Sequence, residues 1–177
     1  MALVRIKDKR LTTRRRVLAG VGAAAVCGWV SSAAAEEMAD MVLVQKSART
    51  LSLLRLNREL GRFRIELGSH PVGPKLEKGD GRTPEGLYSI DARSAQSSYH
   101  RSLHISYPND ADLARAHRAG VDPGGNIAIH GMPNDYGPFD PVGYFKDWTD
   151  GCIAVGNLAI DKIWDRVEVG VPVEIRP

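Results

Sequence analysis

At 177 residues, 43% of them hydrophobic, the chain has the size and composition of one globular domain with an ordinary core, not of a disordered segment. Its formal charge of +3 is unevenly held, because residues 1–35 carry seven Lys/Arg against Asp8 alone and leave 17 basic and 20 acidic side chains for the rest. The body is therefore at about −3 and offers no basic face for nucleic acid.

The N-terminus reads as an export signal spanning residues 1–35. Arg14-Arg15-Arg16 precedes an apolar stretch over residues 17–30, which is followed by Ser31-Ser32-Ala33-Ala34-Ala35 and the acidic pair Glu36-Glu37. Thr13-Arg14-Arg15-Arg16-Val17-Leu18 is similar to a twin-arginine signal, and cleavage is expected after Ala35. The apolar stretch falls short of the roughly 20 residues of a membrane span, and no other segment is long and apolar enough, so no span is expected in the mature chain. Cys27 follows the bulky Val26 and does not read as a lipidation site. The expected destination is the periplasm or cell envelope, where Cys152 would be the mature chain's single thiol. It is then a buried filler, an intermolecular link or a reactive nucleophile.

Residues 41–44 and 50–54 are expected to be short strands around the polar turn Lys46-Ser47-Ala48-Arg49. Residues 62–67 alternate polar and apolar, as a strand with one buried face does. Residues 68–86 are rich in Gly, Pro and charge and read as a long ordered loop leading to a strand at 87–90. A strand is expected at 103–107 and a short helix over 110–119, capped by Asn109 or Asp110 and stopped by Gly124-Gly125. Ile127-Ala128-Ile129 is a brief apolar strand ending at His130-Gly131, and residues 132–149 form a surface loop. A strand at 153–155, a helix after a cap at Asn157 and a strand at 171–175 complete the chain. The fold class is mainly β, a sandwich or open barrel with one or two short peripheral helices, over residues 39–177.

Gly151-Cys152 sits between a polar turn and an apolar strand, which puts the thiol at a sheet edge near backbone N–H groups. An ordinary thiol is only a few per cent thiolate at neutral pH, so it needs an adjacent imidazole. Among His70, His100, His104, His117 and His130, the last is favoured: it ends a buried strand and is followed by a glycine that permits close approach.

These two segments, Ile127-Ala128-Ile129-His130-Gly131 and Thr149-Asp150-Gly151-Cys152-Ile153, together resemble the signature of the YkuD-type L,D-transpeptidases, a His-Gly pair ahead of a Ser/Thr-His-Gly-Cys tetrad. Gly81-Arg82-Thr83-Pro84-Glu85-Gly86-Leu87-Tyr88 is similar to that family's Thr-Pro-x-Gly stretch, and the resemblance continues to the closing segment at 170–175. It implies an L,D-transpeptidase-like fold and Cys152 as the nucleophile attacking a peptide carbonyl of peptidoglycan stem peptides. It implies His130 as base and then acid, the Gly131 carbonyl orienting the imidazole, and the Gly151 and Cys152 amides holding the oxyanion. The acyl-thioester would pass to an amine, including one on a cell-envelope protein, or to water, with no cofactor.

The tetrad's histidine is replaced here by Asp150, and the arginine common after the cysteine is missing, since Ile153-Ala154-Val155 follow. An ionised Asp150 would raise the thiol pKa unless it points away or pairs with a cation, such as a substrate ammonium. Three readings follow: an L,D-transpeptidase, an L,D-carboxypeptidase or amidase hydrolysing stem-peptide or protein–peptidoglycan links, and a non-catalytic cell-wall binding module. His104 alternates with Leu103 and Ile105 and has a place in the same cleft as one reading and a solvent-facing one as the other. Tyr107 and Tyr136 are candidates to donate to an oxyanion or line the cleft, or to pack. The scattered His and Asp around 130–150 match no compact metal-ligand spacing.

Overall fold

The structure, a computed structural model, describes residues 36–136 and 146–177. The expected export signal, Cys27 and the side chain of Tyr136 lie outside the described residues. Eight strands and two helices follow one another as β1 (Met41–Gln45), β2 (Thr50–Arg55), β3 (Arg58–Arg64), β4 (Gly86–Ser97), β5 (His100–Ile105), α1 (Asp110–Ala119), β6 (Ala128–His130), β7 (Ile153–Ala154), α2 (Asn157–Trp164) and β8 (Pro172–Arg176). A single turn of 3-10 helix covers Asn134–Tyr136.

The strands form one sheet in the order β3-β2-β1-β8-β4-β5-β6-β7. Strand β4 carries the sheet across the fold, because its residues 86–89 pair with β8 while 90–97 pair with β5. The sheet is not closed: only isolated bridges, Glu66 to Ala154 and Gly68 to Thr149, run from the chain after β3 to the β7 edge. Alternation along the strands sends Val42, Val44, Leu51 and Leu53 inward from one half and Leu103, Ile105, Ile129 and Ile153 from the other. Ile160 and Ile163 of α2 join this core, each side chain contributing about 2 kcal/mol through burial.

Several boundaries differ from those expected. The strand expected at 62–67 starts at Arg58 and ends at Arg64. Leu56 and Asn57, both at positive φ (48° and 62°), close a two-residue hairpin turn that Leu56 conceals in the sequence. After Arg64 the chain leaves β2, and Glu66 exchanges both backbone hydrogen bonds with Ala154 at 2.9 Å. Strand β4 runs to Ser97 and β5 starts at His100, a long hairpin whose polar residues carry no alternation. Helix α1 is capped by Asn109, which accepts from the Asp112 amide, and is stopped by Gly120 at φ 69° rather than by Gly124-Gly125. Helix α2 takes Gly156 as its cap and starts at Asn157, whose side chain is used elsewhere.

The loop between β3 and β4 is ordered by two lysines. Lys75 reaches Asp80 at 2.8 Å, and the Asp80 carboxylate accepts from the Leu76, Glu77 and Arg82 amides. Burial alone would raise the Asp80 pKa, but these donors hold it down at about 2. Lys46, 2% exposed, donates to the Gly73 carbonyl (2.6 Å), the Thr83 carbonyl (3.0 Å) and Glu85 Oε1 (2.8 Å). Replacing Lys46 by Ala leaves two carbonyls and a carboxylate without their donor. A loss of about 3 kcal/mol is expected in urea unfolding; a loss below about 1 kcal/mol would mean that water takes over the ammonium's role.

Candidate active site

Strands β6 and β7 pair in parallel, with Ile129 opposite Ile153 and His130 opposite Ala154. Side chains alternate across a strand, so Ile129 and Ile153 enter the core while His130 projects from the other face; Cys152 immediately precedes β7, and the same alternation continued by one residue turns its side chain to the His130 face. The structure thus brings His130 and Cys152 to one face of the sheet despite the 22 positions between their numbers.

His130 is 3% exposed. Its ring lies 4.4 Å from the Tyr99 ring and 5.9 Å, edge-on, from Trp148. Nδ1 donates to the Gly131 carbonyl at 2.7 Å, which fixes the tautomer and leaves Nε2 as an acceptor. Burial pushes the imidazole pKa below its ordinary 6.5 and outweighs the carbonyl, which acts the other way. The ring is therefore neutral at pH 7.

Gly131 is confined on three sides. Its N–H donates to the Tyr99 and Arg101 carbonyls, both at 3.1 Å. A Cβ there would lie 2.7 Å from Asn157 Oδ1 and 3.1 Å from His100 Cβ. Asn157 Oδ1 also accepts from the Met132 amide at 2.8 Å, so the first residue of α2 clamps the chain just after the imidazole. Sequence reasoning gave Asn157 only a capping role and missed Tyr99 and Trp148. The one local signal was an aromatic residue placed next to the tetrad.

The turn before Cys152 is built on Thr149. Its hydroxyl accepts from the Gly151 amide at 3.1 Å and donates to the Cys152 carbonyl at 2.7 Å. Serving an oxyanion would therefore require the Gly151 amide to exchange that bond, whereas the Cys152 amide has no backbone acceptor among the described residues. Gly151 stands at φ 128°, and a Cβ on it would lie 2.5 Å from the Arg82 carbonyl; one on Gly68 would lie 2.2 Å from the Gly81 carbonyl. Glycine is needed at both because two backbones press against the turn before Cys152. The turn's other flank is anchored by Asp147, which pairs with Arg49 and accepts from the Leu67 amide at 3.0 Å.

Cys152 is partly buried, and its thiol donates to the Asn126 carbonyl at 3.5 Å. A Cys152–His130 hydrogen bond would require the sulfur to leave that carbonyl. Burial pushes the thiol pKa up from its usual 9.0; the Ala128 amide opposes this, Asp150 adds to the rise, and Lys75 opposes it. Asp150 is exposed and borders an open cleft of about 610 Å³ with Lys75, Lys78, Asp122, Gly125 and Asn126.

The remaining candidates separate. Tyr107 is 3% exposed, packs edge-on against Tyr88, and donates its hydroxyl to the Pro123 carbonyl at 2.9 Å. Burial pushes its pKa up to about 12, and it is a core residue that braces the loop beside the cleft. His104 lies on the same sheet face as His130 and donates Nδ1 to Asp91 at 2.6 Å. His100 bonds Asp161, His70 meets Ser69, and His117 lies on the surface of α1. Among the described residues no group of three or more His, Cys, Asp or Glu is placed to hold a metal. Replacing Trp148 by Ala admits water to one side of His130 and should move its pKa up towards 6.5 in an NMR titration. An unchanged midpoint would show that Trp148 does not contribute to the desolvation.

The YkuD family, described as the L,D-transpeptidase catalytic domain, matches residues 39–175. The Escherichia coli (strain K12) protein called "Putative L,D-transpeptidase YafK" is 30% identical over 138 residues, which cover 73% of this chain and 48% of that protein. The chain thus spans about half the length of the relative it matches. The helical cell shape determining protein Pgp2 (K307A mutant) from Campylobacter jejuni superimposes with a TM-score of 0.64 at 25% identity, covering 81% of this chain and 48% of that one. Bd1075 from Bdellovibrio bacteriovorus gives 0.56 at 25% identity, covering 78% and 48%. The L,D-transpeptidase from Xylanimonas cellulosilytica shares the fold at 0.51 and 15% identity, over 79% and 61%. With a match across residues 39–175 and this sheet architecture, the chain belongs to the YkuD family of L,D-transpeptidase catalytic domains.

Proposed function

We propose that this chain is an exported, envelope-acting L,D-transpeptidase that holds a peptidoglycan stem peptide as an acyl-thioester on Cys152 and passes it to an amine. The observation that carries this reading is the β6–β7 register, which sets a neutral, tautomer-fixed imidazole and the thiol on one face. In the first half-reaction Nε2 of His130 takes the Cys152 proton as the sulfur attacks the carbonyl, then returns it to the departing amine. The Cys152 amide serves the oxyanion. The lowered imidazole and raised thiol pKa values keep both groups neutral before substrate arrives, so proton transfer accompanies attack. The cell-shape role in the name of the Campylobacter jejuni neighbour supports an envelope-shaping task, and no helix among the described residues is long and apolar enough to cross a membrane.

Cys152→Ala should abolish the acyl-enzyme mass adduct with purified disaccharide-tetrapeptide while leaving the melting profile in place. With the native chain, crosslinked dimers in the products support transfer, whereas hydrolysed stems alone would favour the carboxypeptidase or amidase reading.

The raised thiol pKa is the observation that favours the non-catalytic alternative, and it has its own test. Asp150→Asn removes a negative charge that opposes ionisation, so the midpoint for alkylation of Cys152 should move to lower pH. A thiol that reacts in neither form, together with no adduct, would identify a binding module.

A further inference from the structure

Beyond His130, the same sheet face carries a second imidazole that this mechanism leaves unused. Pairing aligns Ala92 of β4 with His104 of β5, and His104 with Ala128 of β6. Continuing the β6–β7 register one step back from Ile129–Ile153 brings Ala128 level with Cys152, whose thiol lies within reach of the Ala128 amide. A single backbone row thus runs Ala92, His104, Ala128, Cys152, with Ala128 of β6 between the segments that carry the imidazole and the thiol. Two strand spacings put their backbones about 10 Å apart, room for a thioester carbonyl and an incoming amine.

The imidazole is oriented. A bulge between Ile90 and Ala92 puts Asp91 beside it, and Asp91 Oδ1 accepts from Nδ1 at 2.6 Å. The two ring nitrogens diverge, so Nε2 is turned away from β4 and left as an acceptor. The His104 side chain is 35% exposed, whereas His130 is 3% exposed beneath Tyr99 and Trp148.

Resting on the proposed acyl-thioester, we infer that His104, oriented by Asp91, is the base for the second half-reaction. The neutral amine attacks the thioester carbonyl and forms the C–N bond, and its N–H proton passes to His104 Nε2. The C–S bond breaks with its electron pair going to sulfur. The thiolate then takes a proton from solvent as the His104 imidazolium releases one, which restores both groups.

The test loads Cys152 with disaccharide-tetrapeptide, follows the adduct by intact mass, and chases it either with the muropeptide amine or with hydroxylamine, which is neutral at pH 7 and attacks thioesters unaided. In His104→Gln the ratio of muropeptide-amine chase rate to acylation rate should fall about a hundredfold, with the hydroxylamine chase preserved. Asp91→Asn keeps the imidazole and should give a smaller fall in the same ratio; it decides the matter if His104→Gln melts early. An amine chase within about twofold of wild type in the folded variant overturns the inference and leaves the acyl-enzyme standing. No adduct on the native chain overturns the acyl-enzyme, and this inference with it.

Discussion

The parallel pairing of two very short strands governs this site. β6 and β7 contribute three and two residues, yet their register decides that His130 and Cys152 share a face while Ile129 and Ile153 share the core. A slip of one residue in either strand would turn His130 or Cys152 into the core. So short a pairing cannot hold its own register. It is held from outside by the Glu66–Ala154 exchange and by the Leu67 and Ser69 backbone bonds to Thr149.

That outside support explains why the loop before β4 is so heavily tied. Lys46, Lys75 and Asp80 consume buried charge to shape residues 68–85, and Gly68 and Gly151 let that loop press its backbone against the turn before Cys152. The Thr-Pro-x-Gly resemblance in this stretch thus has a physical use. Thr83 accepts from the Gly68 amide at 3.1 Å and its carbonyl accepts from Lys46, so the stretch works as a wedge behind Cys152 rather than as a lining of the cleft.

The electrostatics of the pair differ from those of a resting thiolate–imidazolium site. Burial acts on both groups in the direction that disfavours charge, lowering the imidazole and raising the thiol. Asp150 strengthens the second effect, and because it stands exposed on the rim of the polar cleft, it also presents a carboxylate to whatever enters beside Cys152.

Much was legible before any coordinates. Short apolar runs between turn residues marked most of the strands, Asn109 announced α1, and the two short motifs proposed His130, Gly131, Gly151 and Cys152 as site candidates, because each of these signals depends on neighbours in the chain. What stayed hidden depends on neighbours in space. The Leu56-Asn57 turn and the long β4–β5 hairpin are set by pairing partners rather than by composition, so strand ends there were misplaced. Tyr99 and Trp148 approach His130 from distant segments, Asn157 spends its side chain on Met132 instead of a helix cap, and the thiol's resting partner is a carbonyl 26 positions away. The amino-acid sequence by itself determined which groups are candidates for the proposed chemistry, since that follows from residue type and local spacing. Only the tertiary structure decided which of them face one another and in what charge state, since register, burial and desolvation are properties of segments packed together.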